Sequence, residues 1–238
     1  MRRIFAAAVT ASIFLIAPAF GELASRYSVA GINRDDGSTY VGVTTFTPAG
    51  QTYRVAYQNP GSGQGSNGYA IEYKDFLALA MKDNDGGGYL EILARVGDIL
   101  TGVWTRYGDD GKLTGGDIFH QGGNAPVNVN FADATSDDPT GDYAISGTNP
   151  DGSTYTGSVK IERWGDCFNV TRKIGDEKTT GTAVAFKGGL VMNISVGDDT
   201  PREAFGVLGV FVKEGDGRLG IWAKAGNQKI GAERWVRK

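Results

Sequence analysis

One cysteine and one histidine stand among the 238 residues. With Cys167 alone, no internal disulfide can form, so the chain must hold itself by core burial and strand pairing. The bland place for such a thiol is a buried strand position. His120 and Cys167 are too few for a standard zinc site. A Cys–His nucleophile pair would need these two to meet from separate halves of the chain. No Gly-Lys-Ser/Thr phosphate loop and no Gly-x-Ser-x-Gly elbow occurs. Basic clusters are missing as well, and the formal charge is −3. Phosphate contacts need Lys and Arg, so nucleic acid is a poor partner. The acidic loop Asp83-Asn84-Asp85-Gly86 looks like a fragment of a calcium loop, without the further oxygen ligands and distal Glu. Ser136-Asp-Asp138 is no fuller. Both read as solvated turns. These absences point away from an enzyme; no catalytic residue, metal ligand or cofactor is expected.

Helical periodicity of useful length is also lacking. What the chain has instead is a repeat. Tyr143 to Gly157 reads YAISGTNPDGSTYTG, and Tyr27 to Gly42 reads YSVAGINRDDGSTYVG, with one extra residue before the Asp-Gly. Tyr27/Tyr143, Gly31/Gly147, Asn33/Asn149 and the run Asp-Gly-Ser-Thr-Tyr ending at Tyr40/Tyr155 are shared, as is Gly42/Gly157. Self-similarity over such a distance means one structural unit used twice. Further matches extend it. Gly50-Gln-Thr-Tyr53-Arg-Val55 aligns with Gly165-Asp-Cys-Phe168-Asn-Val170. Leu100-Thr-Gly102-Val-Trp104 aligns with Arg218-Leu-Gly220-Ile-Trp222, and Phe119 falls opposite Trp235.

Residues 1–21 read as a secretory signal. Arg2-Arg3 is the positive start, Ile4 to Ile16 the apolar run, and Ala17 to Gly21 the small-residue cleavage region, with the cut after Gly21. The run is shorter than the ~20 residues a spanning helix needs. The mature protein is therefore expected in the periplasm or secreted, with no membrane span. The first copy then occupies 22–121, a linker 122–140, and the second copy 141–238. Within the linker, the alternation of Val127-Asn-Val-Asn-Phe131 suggests a short extra edge strand.

Each copy shows eight segments separated by Gly/Pro/Asn/Asp turns every 8–12 residues or so, the mark of an all-β sandwich or barrel. Strands are expected near 26–33, 38–47, 51–58, 67–74, 75–82, 88–95, 99–107 and 113–120. In the second copy they fall near 142–149, 153–163, 166–174, 177–186, 189–196, 203–213, 217–224 and 229–237. Closure removes exposed sheet edges. The reading is two tandem eight-stranded antiparallel up-and-down barrels, with two β-sandwiches as the alternative and one larger barrel as a third. Phe76-Leu-Ala-Leu-Ala-Met81 and Ala204 to Val212 are apolar on both faces, so they need a neighbour outside their own barrel. Contact between the halves is the simplest cover; a partner protein or a second copy of the chain, as a homodimer, is the other.

The motif Gly147 to Gly157, with Gly220-Ile-Trp222 and the closing Gly231-Ala-Glu-Arg234-Trp235, resembles a family of small secreted bacterial proteins commonly labelled fibronectin-binding. The resemblance implies an exported protein that binds a protein partner. The first copy departs from it at Asn33-Arg-Asp-Asp-Gly37 and at Asp117-Ile-Phe119, which lacks the arginine. A looser likeness is to the calycin barrels, the lipocalin and avidin group. It implies an aromatic at the start of strand one, here Tyr143, packed by an arginine of the last strand, here Arg234.

Two readings of function follow. One is a non-catalytic exported binding protein that engages a protein partner through its duplicated barrels. The other is a carrier of a small apolar ligand inside a barrel. The recurring aromatics Tyr155, Phe168, Trp222 and Trp235, with Tyr40, Tyr53 and Trp104 of the first copy, are the candidate ligand-binding residues. A cavity of about 300 Å³ or more in either half favours the carrier. An enzyme using scattered acids is the third and weakest reading.

Overall fold

A computed structural model describes residues 23–122, 127–195 and 206–238. The secretory segment expected at 1–21 lies outside the described residues. Eight strands form the first copy: β1 Arg26–Asn33, β2 Thr39–Ala49, β3 Thr52–Gln58, β4 Gly65–Tyr73, β5 Phe76–Asp83, β6 Gly88–Val96, β7 Ile99–Arg106 and β8 Gly115–His120. The second copy has β9 Gly141–Thr148, β10 Thr154–Trp164, β11 Cys167–Ile174, β12 Glu177–Phe186, β13 Gly189–Ile194, β14 Val207–Glu214, β15 Gly217–Lys224 and β16 Gly231–Arg237. Each set closes on itself as an antiparallel barrel in simple up-and-down order, β1 pairing β8 and β9 pairing β16. The sandwich alternative falls away because each sheet closes, and the single-barrel one because no ladder joins the two sets among the described residues.

The repeated Asp-Gly-Ser is a device of folding. Gly37 and Gly152 take φ of +68° and +88°, where a side chain would be strained. Asp36 and Asp151 each accept from the backbone N–H two residues on, at 2.9 Å. Asn33 and Asn149 donate to Ser38 and Ser153. These bonds tighten the β1–β2 and β9–β10 hairpins in the same way.

Between the barrels, Val127–Phe131 does not form the expected edge strand. A short 3-10 turn, Phe131–Ala134, follows instead, and the Asn130 side chain caps it by accepting from Ala132 N–H. Two of the three apolar residues of the alternation find cover without a ladder: Val129 and Phe131 pack on the core shared by the two barrels.

Among the described residues there are three apolar cores. One fills the lower part of the first barrel, where Tyr27, Phe46 and Phe119 meet with Leu23. One fills the second barrel around Tyr143, Phe168, Phe211 and Trp235. The third lies between them and contains Ile71, Ile92, Val184, Phe186, Leu208 and Val210. The two-sided strands are thus explained: Leu77 and Leu79 point into the first barrel, while Ala78 and Ala80 meet the other half.

The packing between barrels is two-fold-like. β12 lies on β6 as β4 lies on β14, β13 on β6 as β5 on β14, and β12 on β7 as β4 on β15. Such reciprocal contact is what an isologous dimer interface shows. The turns agree with it. Gln51 N–H donates to the Gln228 carbonyl at 2.7 Å, and Asp166 N–H donates to the Gly111 carbonyl at 2.9 Å. In each case the β2–β3 or β10–β11 turn of one barrel touches the last hairpin of the other. The barrels therefore run in opposite directions.

Cys167 opens β11 in this shared core. It is fully buried, and burial pushes its thiol up to about 12. His120 closes β8, and its Nδ1 accepts from the Gly122 N–H. The two belong to different environments.

Candidate functional site

Both barrels carry the same interior hydrogen-bonded triad. In the first, Trp104 Nε1–H donates to Tyr40 Oη at 2.9 Å, and Tyr40 O–H donates to Asp117 Oδ1 at 2.6 Å. In the second, Trp222 Nε1–H donates to Tyr155 Oη at 2.8 Å, and Tyr155 O–H donates to Glu233 Oε1 at 2.5 Å. The repeat supplies each part. The tyrosine stands three residues beyond the Asp-Gly turn. The tryptophan sits on the seventh strand of its barrel, beside the acid of the eighth. Glycines make the room: a Cβ at Gly31 would lie 2.1 Å from the Tyr40 ring, and one at Gly147 would lie 2.3 Å from the Tyr155 ring.

Around this common triad the two interiors diverge. In the second barrel, Arg172 of β11 pairs with Glu233 and lies over the Tyr155 ring at 5.3 Å. Trp235 Nε1–H donates to the other carboxylate oxygen of Glu233 at 2.8 Å. Phe211 stacks on Trp235 with centroids 4.1 Å apart, and its ring covers the face of Gly209. The acid is fully partnered and side chains fill the space beside it.

The first barrel has different residues at these places. Tyr57 stands where Arg172 stands, and Glu91 where Gly209 stands. Leu93 replaces Phe211 and Phe119 replaces Trp235. Smaller apolar groups and a missing cation leave a cavity of about 400 Å³. Val29, Leu79 and Phe119 line it towards the closed end, and Tyr57, Tyr89 and Trp104 along its walls. Its mouth lies among the 59–65 and 83–85 loops and Arg106. Arg106 is held there by Asp83 at 3.5 Å, and Asp83 in turn accepts from Ser66 Oγ at 2.8 Å.

Two buried carboxyls face this space. Glu91 is 1% exposed and Asp117 6%. They lie close enough to influence one another, and Glu91 Oε1 has no hydrogen-bond partner among the described residues. Burial, then the neighbouring Asp117, pushes Glu91 well above the usual carboxylate range. Burial also pushes Asp117 up to about 6, against the hydrogen bonds from Tyr40 and Glu91 that hold it down. Both carboxyls are thus pushed towards their protonated forms, by burial first and, for Glu91, by its acidic neighbour as well.

The aromatics singled out from sequence divide accordingly. Tyr40 and Trp104 line the cavity and bond to one another. Tyr53 packs towards the closed end on Phe46, with its hydroxyl on Glu72 at 3.4 Å. Tyr155 and Trp222 form the second triad, and Phe168 and Trp235 belong to the filled core of that barrel. The arginine over Tyr143 is Arg237, at 5.8 Å, and not Arg234. Alternation along β16 sends Glu233 and Trp235 inward, so Arg234 points out and pairs with Glu214 at 2.8 Å. Sequence reasoning missed Glu91 and Asp117. The available signal was position: Asp117 shares a strand face with Phe119, and Glu91 lies between Tyr89 and Leu93 at period two.

Among the described residues, no group of three His, Cys, Asp or Glu is placed to hold a metal ion. No helix among them is long and apolar enough to cross a membrane.

No family model matches the sequence, and no curated protein matches it. Among solved structures, the chain is similar to a protein of unknown function from the DUF3598 family of Nostoc punctiforme. The identity is 12% and the TM-score 0.31, over 90% of this chain and 96% of that one. A likeness at this level carries no functional argument.

Proposed function

We propose that this is an exported small-molecule-binding protein whose first barrel holds the ligand and whose second barrel is its structural partner. The observation that carries the reading is the cavity of about 400 Å³ with a buried, unpartnered carboxyl oxygen of Glu91 facing it. Ligand sites are mostly apolar hollows with a few placed polar groups, and volumes of 300–1,000 Å³ are typical. An empty interior is not needed for folding, since the second barrel folds the same topology around Phe211 and Trp235. Support for a carrier over a surface binder comes from the two-sided strands. Their outer faces are covered by the other barrel, and the large apolar side chains left exposed among the described residues are scattered valines, Val41, Val96 and Val236. Scattered exposure of that kind does not mark a protein-binding patch.

Native mass spectrometry of the chain purified from its own host tests the proposal. The expected result is a complex heavier than the chain by a few hundred daltons, released on unfolding, with the chain itself beginning at Glu22. A bare chain, together with no binding from a broad panel of small molecules, overturns it.

A further inference from the structure

From the contrast between the two interiors, we infer that the ligand of the first barrel is an organic monocation, its ammonium or amidinium group seated on Glu91 and Asp117 and its apolar body along the cavity. This rests on the ligand-binding reading above and names the chemistry that would satisfy it.

The second barrel serves as an internal control. Its acid, Glu233, is completed by a guanidinium from its own chain. The first barrel has the same acid position, adds a second carboxyl, and has a tyrosine in place of the arginine. A carboxyl that is buried without a partner is costly, and a buried charge more so. A cationic ligand supplies the charge that Tyr57 does not. Glu91 Oε1 is the free acceptor for an N–H donor. Aromatic rings flank the same space, and ring faces attract cations.

The groups facing the pair agree in sign. Tyr40 and Tyr57 face it from β2 and β3, and Tyr89 from β6. Burial together with the two acids raises all three phenols, so they stay neutral. Asp83 of β5 adds negative charge, and its bridge to Arg106 keeps that cation at the mouth. Among the described residues, the interior therefore carries no positive group opposite Glu91 and Asp117. Once Asp117 has given up its proton, its carboxylate offers a charge for one cation.

The full-length mature chain is titrated calorimetrically with 2-phenylethylammonium, with the neutral isostere 2-phenylethanol, and with 3-phenylpropanoate. At pH 8 the ammonium binds at least about tenfold tighter than the alcohol, and the carboxylate does not bind. The ammonium's advantage fades as pH falls below 6, while binding of the alcohol stays flat. Asp117→Asn removes the advantage. The same variant still binds 2-phenylethanol, which shows that it is folded, and Asp98→Asn in the exposed β6–β7 turn leaves all three titrations unchanged. Equal binding of ammonium and alcohol, or an advantage that survives Asp117→Asn, overturns the cation while leaving a small-molecule carrier standing. Failure of all three probes, with a bare chain from the host, defeats the carrier itself.

Discussion

Tyr57 and Arg172 occupy the same place in the two barrels, each opposite the matching residue of the neighbouring strand: Tyr57 pairs with Thr44 and Arg172 with Val159. That exchange, together with Leu93 for Phe211 and Phe119 for Trp235, separates the open interior of the first barrel from the packed core of the second. In the second barrel the guanidinium stays with Glu233, whereas the first leaves its carboxyls facing open space.

Placing an arginine in the first barrel should close the site. Tyr57→Arg is expected to fold and to lose 2-phenylethylammonium binding by at least about tenfold, because the new guanidinium satisfies the acid pair. Removing the original arginine should be harmful. Arg172→Leu leaves Glu233 buried and unpaired, at a cost of about 3–5 kcal/mol in chemical denaturation.

Glu91 sets a pH dependence. Its folded-state proton affinity is raised, so the group favours folding below the ordinary carboxyl range. That contribution is lost as pH rises towards its folded value. Glu91→Gln should therefore flatten the stability–pH curve on its alkaline side. In the ligand-free chain at pH 8 it should raise unfolding stability by about 1–3 kcal/mol. A parent and variant with parallel curves would show that Glu91 is not held protonated.

Gly31 and Gly147 test whether the triads are built alike. Alanine at either position meets a tyrosine ring. Each change should cost about 1–3 kcal/mol, as overpacking does. Only Gly31→Ala should also weaken ligand binding, since Tyr40 lines the cavity and Tyr155 belongs to the sealed barrel.

The thiol of Cys167 should be silent towards Ellman's reagent in the folded chain. It sits in the shared core with its proton held firmly. Labelling is expected to follow unfolding, so its rate in denaturant should track the loss of structure.

The architecture was readable because it is local. Turn chemistry at Asp36-Gly37 and Asp151-Gly152 set the hairpins, and period-two runs such as Val159-Lys-Ile161-Glu set the faces. Two duplicated sets of eight such strands left little choice of closure. The Val127–Phe131 stretch misled because its alternation is satisfied by a neighbouring barrel, and tertiary contact overrode local pattern. Arg234 misled by a shift in register: on a strand of period two, a partner for Tyr143 had to lie an even number of residues from the inward Trp235, and Arg237 was that residue. The site itself was half legible. Tyr40 and Trp104 were conspicuous as recurring aromatics. Glu91 and Asp117 were not, because an acid inside a barrel looks in sequence like any of the 27 acids of the chain. Hollowness is harder still. It depends on which of Leu93 and Phe211, or Phe119 and Trp235, leaves space, and similar apolar residues hide that difference.

The antiparallel, two-fold-like arrangement of the barrels bears on any role for their loops. Corresponding hairpins emerge at opposite poles of the molecule, as Gln51 beside Gln228 and Asp166 beside Gly111 require. A single flat surface can meet one pole at a time. Anything that engages both Asp-Gly-Ser turns has to be two objects with this protein strung between them.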